Sequence, residues 1–114
     1  MNSRTPLIPR IVCLCGSTRF YKEFQRAYFE ETLAGRIVLS VGFYPHASEE
    51  VHGQNIGITI EQKIQLDELH LRKIDLADEV LILNVDGYIG ESTSRELAYA
   101  QDHNKLIRWL EKNG

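Results

Sequence analysis

Residues able to do chemistry gather in two short stretches of the 114-residue chain. The first is Cys13-Leu-Cys15-Gly16-Ser17-Thr18-Arg19, which admits two chemistries. As Cys-x5-Arg, a thiolate and a guanidinium would frame a phosphate-binding loop for phosphatase chemistry. As a Gly-Ser turn opening a helix, free N–H groups and the positive end of the helix dipole would hold a phosphate or carboxylate, with Arg19 adding a planar fork. Periodicity favours the turn. Ile11, Cys13 and Cys15 share one face of a strand predicted to run to Cys15, so only Gly16 to Thr18 remain as loop, too few to wrap a phosphate. Ser17 or Thr18 could equally serve as a plain N-cap, and the cysteines then read as small, reduced core residues.

The second stretch, NVDGYIGESTSRELAYA at residues 84 to 100, leads from a strand end through two glycines and three hydroxyls into a helix. Thr93-Ser-Arg-Glu96 matches a capping box, so Glu96 could simply cap the helix. A carboxylate in a first helical turn is also held ionised by the dipole, with a pKa expected at or below about 4.3, which suits a nucleophile. Asp86, just past the strand, could bind ribose hydroxyls or only end the strand.

A third candidate emerges from helical periodicity. Ile60, Ile64, Asp67, Leu71 and Ile74 fall on one stripe, so an acid interrupts an apolar face. Burying it alone would be costly, so the stripe opens onto a site, Asp67 has a partner, or the stripe edge is wet. Leu66, Leu69, Leu76 and Ala77 form a second apolar side, which points to a partner subunit. His46 and His52, in the polar stretch 44–57, lack a Cys or acidic cluster at metal-ligand spacing and read as exposed loop residues. Loops this long in small domains tend to be lids, binding loops or disorder.

The elements that must position these residues alternate. A strand from Arg10 to Cys15 precedes a helix carrying Phe20, Phe24, Ala27, Tyr28 and Glu31 at helical spacing until Gly35. A strand from Ile37 to Val41 follows, then a helix opened by the capping-box pattern Thr59-Ile-Glu-Gln62 and running to about Ala77. Glu79 to Asn84 reads as the third strand, Thr93 to about His103 as the third helix, and Lys105 to Leu110 as a fourth strand. This alternation predicts an α/β fold, a flavodoxin-like or Rossmann-like three-layer sandwich around a parallel sheet of four to five strands, spanning residues 1–114 as one domain. Strand order 2-1-3-4 would place the ligand crevice between the ends of the first and third strands, where the two stretches meet.

Bulk properties narrow the ligand. A formal charge of −3 gives no general pull on nucleic acid polymers or anionic membranes, so a phosphate must be held locally. No apolar run approaches the ~20 residues of a bilayer span, and the start of the chain lacks a signal-peptide core; the expectation is a cytoplasmic protein with no membrane partner.

Cys15-Gly16-Ser17-Thr18-Arg19 after the first strand, Ala77-Asp78-Glu79-Val80 entering the third, and Glu96-Leu97-Ala98-Tyr99-Ala100 after a Gly/Ser turn resemble the nucleoside 2-deoxyribosyltransferase superfamily. Within it the chain looks most like the 2'-deoxynucleoside 5'-phosphate N-hydrolases. The resemblance implies that Glu96 attacks the anomeric carbon of the sugar, that Asp67 is the acid preceding the third strand, and that a homodimer completes the site. It also implies a cradle for the 5'-phosphate of a small nucleotide or nucleoside, built from Gly16, Ser17, Arg19, Ser92 and Ser94; Thr18, Gly90 and Asp86 are further binding candidates, and no metal or other cofactor is expected. The chain departs from the pattern in reading Glu-Leu-Ala-x-Ala for Glu-Leu-Gly-x-Ala, and in having Cys13 where the N-hydrolases carry tyrosine. A nucleotide-binding module with an idle Glu96 is the alternative. The low-molecular-weight tyrosine phosphatases, which Cys-x5-Arg resembles by spacing, add an Asp-Pro pair, whereas the prolines here follow Thr5, Ile8 and Tyr44.

Overall fold

The computed structural model describes residues 8–42 and 59–112; His46, His52 and the stretch 44–57 lie outside them. Four strands, β1 (Ile11–Cys15), β2 (Ile37–Leu39), β3 (Glu79–Ile82) and β4 (Leu106–Trp109), alternate with three helices, α1 (Tyr21–Leu33), α2 (Ile60–Leu76) and α3 (Glu91–Asp102). The strands form one all-parallel sheet in the order β2-β1-β3-β4. The chain is thus an α/β three-layer sandwich of the flavodoxin-like or Rossmann-like kind, with the expected order and with four strands. Among the described residues, no helix is long and apolar enough to cross a membrane.

Side chains alternate across the sheet, and each face has its own core. Val12, Leu14, Leu81 and Leu83 pack with Phe24 and Ala27 of α1. Cys13, Cys15, Val80 and Ile82 pack on the opposite face with Ile74 and Ala77, at the end of α2, and Ala100 of α3. β1 and β3 therefore read as continuous apolar runs because both their faces are covered. α1 closes through Ala34 into Gly35, whose φ of +89° is open to glycine at no steric cost, and β2 begins two residues later.

The capping box that opens α2 is present in both halves: Thr59 Oγ1 accepts from Gln62 N at 3.0 Å, and Gln62 Oε1 accepts from Thr59 N at 2.9 Å. The apolar stripe of α2 buries only its later half. Ile74 is buried and Leu71 half-buried, whereas Ile60 and Ile64 are exposed. On the second side Leu66, Leu69 and Leu76 are also exposed, while Ala77 joins the core.

One boundary corrects the sequence reading. α3 starts at Glu91, not Thr93, with Gly90 as an N-cap that offers no side chain. Thr93 is the third helical residue and is buried against the core, so Thr93-Ser-Arg-Glu96 is not a capping box. Glu96 lies in the second turn, where the dipole has faded.

Candidate functional site

A pocket of about 420 Å³ opens at the carboxyl end of the sheet, at the switch point between β1 and β3 where open α/β sheets bind ligands. One wall is Gly16-Ser17-Thr18, following β1, and another is Gly90 to Thr93, at the start of α3. Lys63, Asp67, His70 and Lys73 line the α2 side, with Leu66 and Leu69 beside them.

Gly16 is required by closeness. A Cβ there would meet the Leu83 Cβ at 3.0 Å, because Leu83 N donates to Cys15 O at 2.8 Å and draws the two strand ends together. Ser17 then caps a short 3-10 turn over Thr18–Phe20, its Oγ accepting from Arg19 N at 3.3 Å. The hydroxyl therefore has a structural task, as the plain capping alternative anticipated. Among the described residues no side chain caps the first amides of α3, which leaves them to meet an anion in the pocket.

The remaining sequence candidates divide. Asp67 lines the pocket with its side chain 40% exposed, so the stripe is wet there, and Lys63 Nζ donates to both of its oxygens at 2.9 Å. Ser92 lines the pocket and its Oγ accepts from Arg95 Nη2 at 3.4 Å. Arg19 is exposed at the rim, with its guanidinium 5.1 Å from the ring centre of Tyr88, a pocket residue. Ser94 is exposed and does not line the pocket, because the earlier helix start turns it outward. Asp86 is also off the pocket: its backbone makes a left-handed turn at φ 54°, its side chain is exposed, and its N–H donates to Glu111 Oε2 at 3.0 Å. The strand itself ends earlier, at Ile82, and Asp86 lies in the 3-10 turn Val85–Gly87 that follows it.

Glu96 lies beside the pocket among a group the sequence reading did not assemble. His70 Nε2 is 3.9 Å from Glu96 Oε1, 3.4 Å from Cys15 Sγ and 3.7 Å from Cys13 Sγ. Both cysteines are free and fully buried, and His70 is 6% exposed. The one hint in the sequence was that Cys13 and Cys15 face the same way; nothing local told that a helical histidine 55 residues on would meet them.

Burial sets the electrostatics. It pushes the Glu96 carboxyl above its ordinary range, and the Cys13 charge adds to this, while His70 pulls the other way. The low pKa expected for Glu96 is thereby corrected, since burial replaces the helix dipole as the leading influence. Cys13 is pulled down to about 6 by the Cys15 thiol and then by His70, against its own burial. Cys15 is pushed up by Cys13 and by burial. Burial opposes charge on His70, but its bond to Cys13 wins and raises it. Cys13 sits in the ladder opposite Leu39 and Val80, so its thiolate character comes from Cys15 and His70, not from loop amides cradling a phosphate.

No family model and no curated protein sequence matches the chain.

Proposed function

We propose that the protein cleaves the N-glycosidic bond of a nucleoside or nucleotide, by hydrolysis or by transfer to another base, with Glu96 as nucleophile. The observation that carries this is that the turn after β1 and the start of α3 meet on one pocket, with a largely buried carboxylate beside the histidine of its wall. Free amides at Gly90 to Thr93 and the Gly16-Ser17-Thr18 turn suit a 5'-phosphate. The apolar surface of Leu66, Leu69 and Tyr88 suits a base.

In this reading the Glu96 carboxylate forms a bond to the anomeric carbon as the carbon–nitrogen bond breaks, and the electron pair leaves with the base, which takes up a proton. Water or a second base then displaces the carboxylate. A His70 imidazolium favours the ionised form of Glu96 that such an attack needs. The same reading seats a second copy of the chain on α2, where exposed Leu66 and Leu69 continue the pocket wall. Leu69→Glu should then lower the apparent mass in sedimentation, and a monomeric wild type at micromolar concentration would remove this part.

A binding module without catalysis is favoured by one observation: Glu96 is not among the residues lining the pocket. Incubation with a panel of nucleosides and nucleoside 5'-monophosphates separates the readings. Released base, followed by chromatography, supports the glycosidase; tight binding with no release from any member supports the module.

A further inference from the structure

The buried group behind the pocket has a composition that neither nucleotide binding nor a lone nucleophile requires. One donor atom each from Cys13, Cys15 and His70 lies within 4.8 Å of the other two, and all three residues are buried. Hydrogen bonding satisfies the group only as a buried thiolate–imidazolium pair with the second thiol donating to the thiolate. A neutral imidazole nitrogen has one lone pair and can accept from one thiol, yet both sulfurs approach His70 Nε2, at 3.4 and 3.7 Å. Its Nδ1 has no partner among the described residues, so the ring's orientation answers to what Nε2 faces.

A cation accepts all three donors at once. A tetrahedral site with Zn–S of about 2.3 Å and Zn–N of about 2.0–2.1 Å holds sulfur and nitrogen about 3.5 Å apart. The two observed sulfur–nitrogen separations bracket that edge. The Glu96 carboxylate, whose Oε1 is 3.9 Å from Nε2, lies outside the 4.8 Å group as placed and reaches the fourth corner by a side-chain rotation. Two sulfurs with one imidazole select a thiophilic ion over magnesium or calcium.

We propose that Cys13, Cys15 and His70 bind a thiophilic divalent cation, Zn2+ foremost, with the Glu96 carboxylate closing a tetrahedral set. The thiols bind as thiolates and their protons pass to solvent, so the two thiolates balance the ion's charge. The ion reaches the group from the pocket, whose wall includes His70. Rigid positioning is built in, since the cysteines sit two residues apart in a central strand and His70 on a helix packed against it. The site stands independently of the glycosidase reading. If both hold, the ion takes the carboxylate needed for attack, and Zn2+ inhibits base release.

The test is titration of the reduced, chelator-treated full chain with Co2+. The expected result is saturation at one equivalent, with thiolate-to-cobalt charge transfer in the near ultraviolet and intense d–d bands of a tetrahedral ion, all lost on adding Zn2+. Cys13→Ser and Cys15→Ser should each remove roughly half of the charge-transfer intensity, one thiolate of two. His70→Ala should weaken binding by at least the about 10–100-fold that an outer-shell partner costs. Should a variant fail to fold, X-ray absorption of the zinc-loaded wild type decides alone: sulfur at about 2.3 Å together with nitrogen or oxygen at about 2.0–2.1 Å supports the site. A cobalt spectrum without charge transfer, intensity unchanged in both cysteine variants, or zinc bound by nitrogen and oxygen only overturns it.

Discussion

Two polar clusters are buried against opposite faces of the same sheet, and they are satisfied to different degrees. On the α1 face, Glu79 meets Arg108 Nε at 2.8 Å, Arg10 Nε at 3.3 Å and Arg36 Nε at 3.4 Å. Glu31 meets Arg108 at 2.5 Å and Arg36 at 3.2 Å. Each buried acid there is held by at least two guanidinium groups whose outer parts reach solvent, so little desolvation is left uncompensated. On the α2 and α3 face, Cys13, Cys15 and Glu96 crowd one nitrogen of His70, and its other nitrogen has no partner among the described residues. A fold has no need of that second arrangement, since apolar residues would fill the space at less cost. The paired cluster reads as architecture and the incompletely satisfied one, which borders the pocket, as chemistry.

The largest expected effect lies at Glu96. Because α3 begins at Glu91 and Gly90 is its cap, Glu96 contributes nothing to capping, and Glu96→Gln should melt close to wild type. The amide cannot serve as an anionic nucleophile, so base release should fall by several orders of magnitude if the glycosidase reading holds. A glutamine variant that releases base like wild type would end that reading and leave the pocket as a binding site.

Stability should respond to the other cluster. Glu79→Ala leaves arginines facing a buried void; as they are partly exposed and can turn toward water, the cost should fall at the low end for a broken buried pair, about 3 kcal/mol. That corresponds to a melting temperature lower by about 10–20 °C. His70→Leu, of similar volume and without polar atoms, should change the stability of the metal-free protein by less than about 1 kcal/mol, because the thiols left behind are weak donors and the Glu96 carboxyl, pushed up by burial, can stay protonated. If His70→Leu proves the costlier of the two, the contrast between architecture and chemistry is wrong. Burial pushes the Glu79 carboxyl up, but Arg108 and then Arg10 outweigh it and hold it below its ordinary range. The unfolded chain therefore binds the proton first as pH falls. Glu79's contribution is complete above the usual glutamate range near about 4.3 and is lost as pH drops through the lowered folded value. Acid melting of wild type should show this fall, and Glu79→Ala should flatten it.

The contrast also explains what the sequence made legible. Strand positions followed from apolar runs and turn residues, because the sheet is covered on both faces, whereas the 2-1-3-4 order comes from the doubly-wound pattern and is seen in the sheet. The start of α2 followed from a cap written in side chains, Thr59 and Gln62. The start of α3 did not, because its cap is a glycine while Thr93, which has a capping side chain, is drawn into the core. That shift of two residues turned Ser94 outward and moved Glu96 beyond the reach of the dipole, so one boundary changed two site assignments. The pocket's two turns were legible because their amides belong to consecutive residues. The Cys-His-Glu cluster was not, because it is assembled by β1, α2 and α3, and only the packing of helices on the sheet brings it together.

Arg19 tests whether the rim reaches the ligand. Its guanidinium is exposed over Tyr88, free to close on a phosphate held at the Gly16-Ser17-Thr18 turn. A charge-assisted hydrogen bond is worth about 1.5–3 kcal/mol, or roughly tenfold or more in affinity. Arg19→Ala should reduce the preference for monophosphates over nucleosides by that factor in titration calorimetry. An unchanged preference would confine phosphate recognition to the backbone amides.

The smallest effect separates two hydroxyls that the sequence treated alike. Ser92 occupies the second position of α3 and lines the pocket, where its hydroxyl can turn from Arg95 to a phosphate oxygen. Ser94, two residues on, is exposed and points elsewhere. A neutral hydrogen bond contributes about 0.5–1.5 kcal/mol net, so Ser92→Ala should weaken monophosphate binding by roughly two- to tenfold and leave nucleoside binding unaltered. Ser94→Ala should alter neither, and both variants should melt near wild type because neither hydroxyl caps the helix. Equal losses in the two variants would mean that α3 starts later in solution than at Glu91. The capping role of Thr93 and Glu96 would then return, together with the dipole's hold on the Glu96 carboxylate.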